Sequence, residues 1–192
     1  MNKVFLYLYP IKDYTKMFLH DDEYYDEEHL ERPLPILNET IEKRYREKGY
    51  QVVFVLYSDR DLYGIEKKEV DKVIFTDIFF SDSSNRYPSE ELLLNQLGNI
   101  DELVVGGYHV LDCVKRVAEN ALLKGINTLV DLDLTDLFFK LYQQKEYFDI
   151  YNYDPDKLRS FMVYRRGEER KSFEERIVDR NYSSPVYSFI KK

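Results

Sequence analysis

Cysteine is nearly absent: Cys113 is the single one in 192 residues. That excludes an internal disulfide framework and a zinc site built from several thiolates. Tryptophan is missing altogether, and proline and glycine are scarce, at six and seven residues. Collagen-like and low-complexity organisation are thereby excluded. No run approaches the ~18 consecutive apolar residues that a membrane-spanning helix requires. An apolar segment begins almost at residue one without a basic lead or a small-residue cleavage site, so no secretory leader is expected. Intracellular, cytoplasmic residence is the simplest expectation.

What is present is a globular mixture, 44% hydrophobic and 33% charged. The net charge of −8 is unevenly spread. Residues 155–192 hold ten basic against six acidic side chains, a local +4, which leaves −12 for residues 1–154. An acidic body repels phosphate backbones, so no nucleic-acid partner is expected, and none in a membrane. The tail cations alternate with Glu168, Glu169, Glu174 and Glu175, the pattern of a solvated face. The segment His20–Glu31 carries seven acidic residues in twelve, flanked by His20 and His29. Loose carboxylates without fixed geometry bind cations poorly, so it reads as an acidic loop and no metal is assigned.

Short apolar runs alternate with helical patterns. Val4–Leu8, Gln51–Tyr57, Val73–Phe75, Leu103–Val105 and Thr128–Val130 read as strands buried on both faces. Between them, helices are expected from Ile36 to Tyr45, from Pro88 to Leu97, and from about Val110 to Lys124, with Gly49, Gly98 and Gly125 as stops. Asp131 and Asp133 read as caps of a last helix running through Tyr142. The alternation predicts an α/β fold, a Rossmann-like three-layer αβα arrangement on a mostly parallel sheet, over residues 1–150. Residues 151–192 read as a separate C-terminal extension, hairpin-like around Arg165–Glu168 and packed on its own domain or on a partner subunit.

In such folds chemistry gathers beyond the carboxyl ends of the strands. Tyr9–Tyr14, Ser58–Asp61 and Gly106–Cys113 end there. Cys113 in the first turn of a helix sits where free N–H groups favour a thiolate and an oxyanion. Equally, it borders the apolar face of Val110, Val114 and Val117, as a small buried hydrophobe does, and Asp112 beside it opposes ionisation. His109 stands one turn away as a group able to orient or deprotonate a nucleophile. Tyr9, Tyr108 and Asp59 are placed to line a small-molecule crevice. A pyrophosphate loop is disfavoured, because Gly106-Gly107 lacks the further glycine spacing.

The segment Leu103-Val104-Val105-x-Gly107, with Cys113-Val114 six residues on and an alanine-containing helix closed by Gly125, resembles the nucleophile segment of the isochorismatase-like cysteine hydrolases. The order of elements agrees from about residue 3 to 150. The resemblance implies a triad of an aspartate after strand one, a lysine after strand three and Cys113. Here Tyr9 occupies the place of the acid, Asp13 survives as the second acidic position of that segment, and Lys72 precedes Phe79 at about the lysine's distance, with Lys67 and Lys68 as competitors. Two functions follow. One is a diverged, homo-oligomeric domain lacking the standard triad, non-catalytic or of altered activity. The other is an active hydrolase of a small amide or ester, with Cys113 as nucleophile and Asp13, Lys72 and His109 assisting. Neither calls for a cofactor.

Overall fold

In a computed structural model of the chain, residues 1–17, 31–77, 90–158 and 160 are described. The acidic loop from His20, the loop Ser81–Tyr87, the opening Pro88-Ser89 and the hairpin around Arg165–Glu168 lie outside these residues.

The architecture follows from β1 (Lys3–Leu8), whose last five side chains are all buried. A strand buried on both faces must lie inside a sheet with strands on either side. It pairs in parallel with β2 (Gln51–Tyr57), Leu6 opposite Val53, and with β4 (Glu102–Gly107), Leu6 opposite Val105. The outer positions go to β3 (Lys72–Thr76) beside β2 and β5 (Asn127–Thr135) beside β4, giving a five-stranded parallel sheet of order β3-β2-β1-β4-β5.

Parallel neighbours require crossover helices, and right-handed crossovers in opposite directions place helices on opposite faces. After the short α1 (Lys12–Met17), α2 (Leu34–Ile41) runs on through a wider π turn, Glu42–Arg46, and links β1 to β2. On the other face α3 (Glu90–Leu97) packs against α4 (Lys115–Leu123), which is preceded by a second π turn, Val110–Val114. A one-turn α5 (Phe138–Leu141) follows β5. The α/β class with a parallel sheet is as the sequence implies. No helix among the described residues is long and apolar enough to cross a membrane.

Two expectations are corrected. The fifth strand does not stop at Val130; it continues to Thr135, so Asp131 and Asp133 lie in the strand and cap nothing. The final helix shrinks accordingly to four residues. The cause is tertiary: both aspartates meet a buried arginine from α2, described below. Beyond residue 150, Leu158 is fully buried in the same core.

The closest approach in the sheet occurs where β4 ends. Gly107 has φ +96°, and a Cβ there would stand 2.1 Å from the Leu8 carbonyl oxygen, which is backbone and cannot move aside. Gly107→Ala should therefore unseat β1 from β4 and cost more than about 3 kcal/mol. Gly49→Ala has the same unfavourable φ but open space around its Cβ; it should cost only about 1 kcal/mol. Urea denaturation of the two variants measures the difference.

Candidate functional site

The helical connections leave β1 and β4 in opposite directions, so the crevice of this sheet lies above their carboxyl ends. Tyr9 to Tyr14 enter it from β1, and Tyr108 to Cys113 from β4. The chain turns sharply at Tyr9, the one described non-glycine residue with positive φ, +52°. Its N–H donates to the Val55 carbonyl at 2.8 Å, which ties the turn to β2.

Tyrosine rings fill the space. Tyr9 is 2% exposed and stacks on Tyr57, with ring centroids 4.4 Å apart. Tyr14 meets Tyr9 edge-on, and its hydroxyl lies 2.8 Å from that of Tyr57. Tyr108, equally buried, closes the other side against Tyr14 and Tyr7. Burial pushes the phenols of Tyr14, Tyr57 and Tyr108 upward, so they stay neutral.

Cys113 lies in the second π turn at 6% exposure. Burial first, and then the Asp112 charge, push its thiol up to about 12, against the opposing pull of the His109 backbone and Arg116. An activated nucleophile moves in the other direction. Beside it is a shallow hollow of about 260 Å³, open to solvent, lined by Leu8, Tyr9, Leu93, Cys113 and Val117, with the ion-paired Glu90 and Arg116 at its rim. Its enclosed part has room for about one water molecule.

The other sequence-derived candidates are dispersed. Lys72 opens edge strand β3 opposite Val53, exposed and at the amino end of the sheet, away from the strand exits that form the crevice. β3 begins at residue 72, so Lys72 stands at the start of the strand. Asp13, in the first turn of α1, pairs with Arg60 at 3.1 Å, and Asp59 holds the same guanidinium at 2.7 Å. These carboxylates form a surface ion-pair cluster on Arg60. His109 is brought to the crevice: its ring meets Tyr14 edge-on at 4.6 Å, and its Nδ1 lies 3.6 Å from Asp136 Oδ2.

Sequence reasoning missed Asp136. It is buried, and its Oδ2 accepts the Val110 N–H at 3.2 Å, so it caps the turn that carries Cys113. Burial raises its pKa, opposed by His109. Its Oδ1 has no hydrogen-bond partner among the described residues.

A second constellation was missed entirely. Arg44 in the first π turn is 3% exposed. Its Nη1 donates to both oxygens of Asp131 at 3.1 and 2.9 Å, its Nη2 to Asp133 Oδ2 at 2.8 Å, and its Nε and Nη2 to the Asp149 carbonyl. The Tyr45 hydroxyl donates to Asp131 Oδ2 while its ring stacks on Phe5 at 3.7 Å. Burial, and then the Asp131 charge, raise the Asp133 carboxyl to about 7 against the pull of Arg44. Two acids at i and i+2 facing one helix arginine are a strand signal, hidden here by their likeness to a helix cap.

Arg44→Met keeps the volume but leaves two sealed carboxylates without a counter-charge. It should lower stability by about 3–5 kcal/mol near pH 8. The loss should shrink towards pH 5 as Asp133, whose carboxyl is already raised by burial and would lose the opposing pull of Arg44, takes up a proton. Chemical denaturation at the two pH values measures it.

No protein-family model matches the chain, and no curated protein does. Solved structures similar to it include an N-carbamoylsarcosine amidase from Thermoplasma acidophilum, 17% identical, spanning 74% of this chain and 94% of that one at a TM-score of 0.46. A MAR1 ribonuclease candidate from Leishmania major is 12% identical over 99% of this chain and 89% of that one, with a TM-score of 0.48. An isochorismatase-like hydrolase from Alkaliphilus metalliredigens is 16% identical over 70% and 75% of the two chains, with a TM-score of 0.44. The fold described above rests on this chain's own sheet; isochorismatase-like hydrolases are among the solved structures it is similar to.

Proposed function

We propose that the chain is a diverged isochorismatase-like domain that has lost the hydrolase triad and works by binding rather than by turnover. The observation that carries this reading is Cys113, 6% exposed, its thiol kept protonated by burial and the Asp112 charge, beside a hollow whose enclosed part has room for about one water molecule. A cysteine nucleophile needs a nearby base and space for a carbonyl carbon within about 3.5 Å. The place of the acid carries a stacked phenol, Lys72 stands at the other end of the sheet, and Asp13 is held by Arg60. Because triad groups act as a unit, losing two removes most of the rate. On this reading ligands or a second copy of the chain meet surfaces outside the crevice.

Iodoacetamide alkylation tests it directly, since every modified thiol is Cys113. At pH 7.5 folded protein should react on the order of a thousandfold more slowly than the unfolded chain. Tyr9→Ala, which widens the hollow beside Cys113, should raise the folded rate at least about tenfold. A wild-type thiol that reacts fast, with an apparent pKa well below 8, would overturn the proposal. The active-hydrolase reading would then stand, and small amides would be the substrates to assay.

A further inference from the structure

The Arg44 cluster has more charge than its geometry balances. One guanidinium faces two carboxylates, and all three side chains are sealed from solvent. The five N–H donors of Arg44 are committed to Asp131, Asp133 and the Asp149 carbonyl. Asp131 accepts from Arg44 on both oxygens and from Tyr45, whereas Asp133 accepts on Oδ2 alone, and its Oδ1 has no partner among the described residues. A buried acid with fewer hydrogen bonds than its neighbour is the one that keeps a proton.

The cover over this cluster is the segment Phe148–Leu158. Phe148 and Tyr153 place their rings 5.2 and 5.9 Å from the Arg44 guanidinium carbon. The Asp149 carbonyl is bound to Arg44, and Lys48 ties down the Tyr151 carbonyl at 2.7 Å. Leu158 anchors the far end in the core. The groups facing the pair are Arg44 and Tyr45 from the π turn, Tyr153 and Asp154 from the cover, and Tyr7 from β1, which feels the charges of both Asp131 and Asp136. Arg44 is the one cation among them.

We propose that Asp133 is a proton-controlled latch, which holds the segment Phe148–Leu158 closed over Arg44 when protonated and releases it when ionised. With one proton the cluster is a neutral Arg–Asp pair beside a neutral acid. Without it a surplus negative charge is trapped, and the cheapest relief is to admit water by lifting the segment that covers it. The sign follows from the raised affinity for the proton. The folded state binds it more tightly than the unfolded chain does, so the closed state is favoured in acid and loses that advantage as pH rises through the neutral range.

Hydrogen–deuterium exchange of the full chain at about pH 5.5 and 8.5, corrected for intrinsic rates, tests the latch. Protection of a peptide spanning 148–158 should fall at least about tenfold more than that of a β1 peptide. In Asp133→Asn, a permanently neutral isostere, the segment should stay protected at both pH values. In Asp131→Asn, which removes the surplus charge from the other partner, release should move to higher pH or vanish. In a carbon-13 titration of the carboxyls, the resonance that Asp133→Asn removes should titrate in the neutral range in the wild-type protein, which separates it from the buried Asp136. Equal loss in the β1 peptide, unchanged release in Asp133→Asn, or aspartates that all titrate below about pH 5 would overturn it.

Discussion

The guanidinium of Arg44 is what joins three parts of this chain that share no backbone contact in sequence. It reaches from the helix between β1 and β2 to the end of β5, 87 and 89 residues away, and to the Asp149 carbonyl, 105 residues away. An arginine suits that position because its planar fork can bind two carboxylates and a carbonyl at once while staying charged. The arrangement does not maximise stability, since apolar side chains of similar volume can replace a buried ion cluster at little or no cost. What it adds is direction. Only one register of β5 brings both aspartates to Arg44, so the cluster opposes a slip of an edge strand that hydrogen-bonds on one side only.

The crevice shows the opposite use of buried polar groups. Its phenols are neutral, and two of them, Tyr14 and Tyr57, hydrogen-bond to each other. Both regions depend on a π turn. In each, the turn buries the side chains that meet the region: Arg44 and Tyr45 in the first, and Val110, Cys113 and Val114 in the second. Such turns cluster where a helix serves a site rather than its own hydrogen bonds.

Much of the sheet was legible because a central parallel strand must be apolar on both faces. Val4–Leu8 and Gln51–Tyr57 admit no other reading, and Gly49, Gly98 and Gly125 mark where helices stop. The site was legible only in outline. A strand, Gly107 and Cys113 point to the correct crevice, but nothing local says that Tyr9, Tyr14, Tyr57 and Tyr108 converge there, since they come from three connections. Asp131 and Asp133 failed for the same reason. Beside Thr135 they look like the start of a helix, and the partner that keeps them in the strand lies nearly ninety residues earlier. Lys72 shows the limit of counting: a distance along the chain carries no information about which end of a strand a residue occupies.

Tyr9 joins these threads. A bulky residue in the left-handed region costs of order 1–3 kcal/mol, so something must offset it. The backbone side is fixed by the Val55 carbonyl below and by the Ile11 N–H, which donates to the Tyr9 carbonyl at 2.8 Å. The side-chain side is supplied by the stack on Tyr57 and near-complete burial, each comparable in size to the strain. An aspartate at the same φ would have the turn but neither the stacking nor the buried area. It would also meet the faces and edges of the Tyr57 and Tyr14 rings, where its charge would be costly. The turn that leaves β1 therefore holds a core residue, and the same side chain lines the hollow beside Cys113.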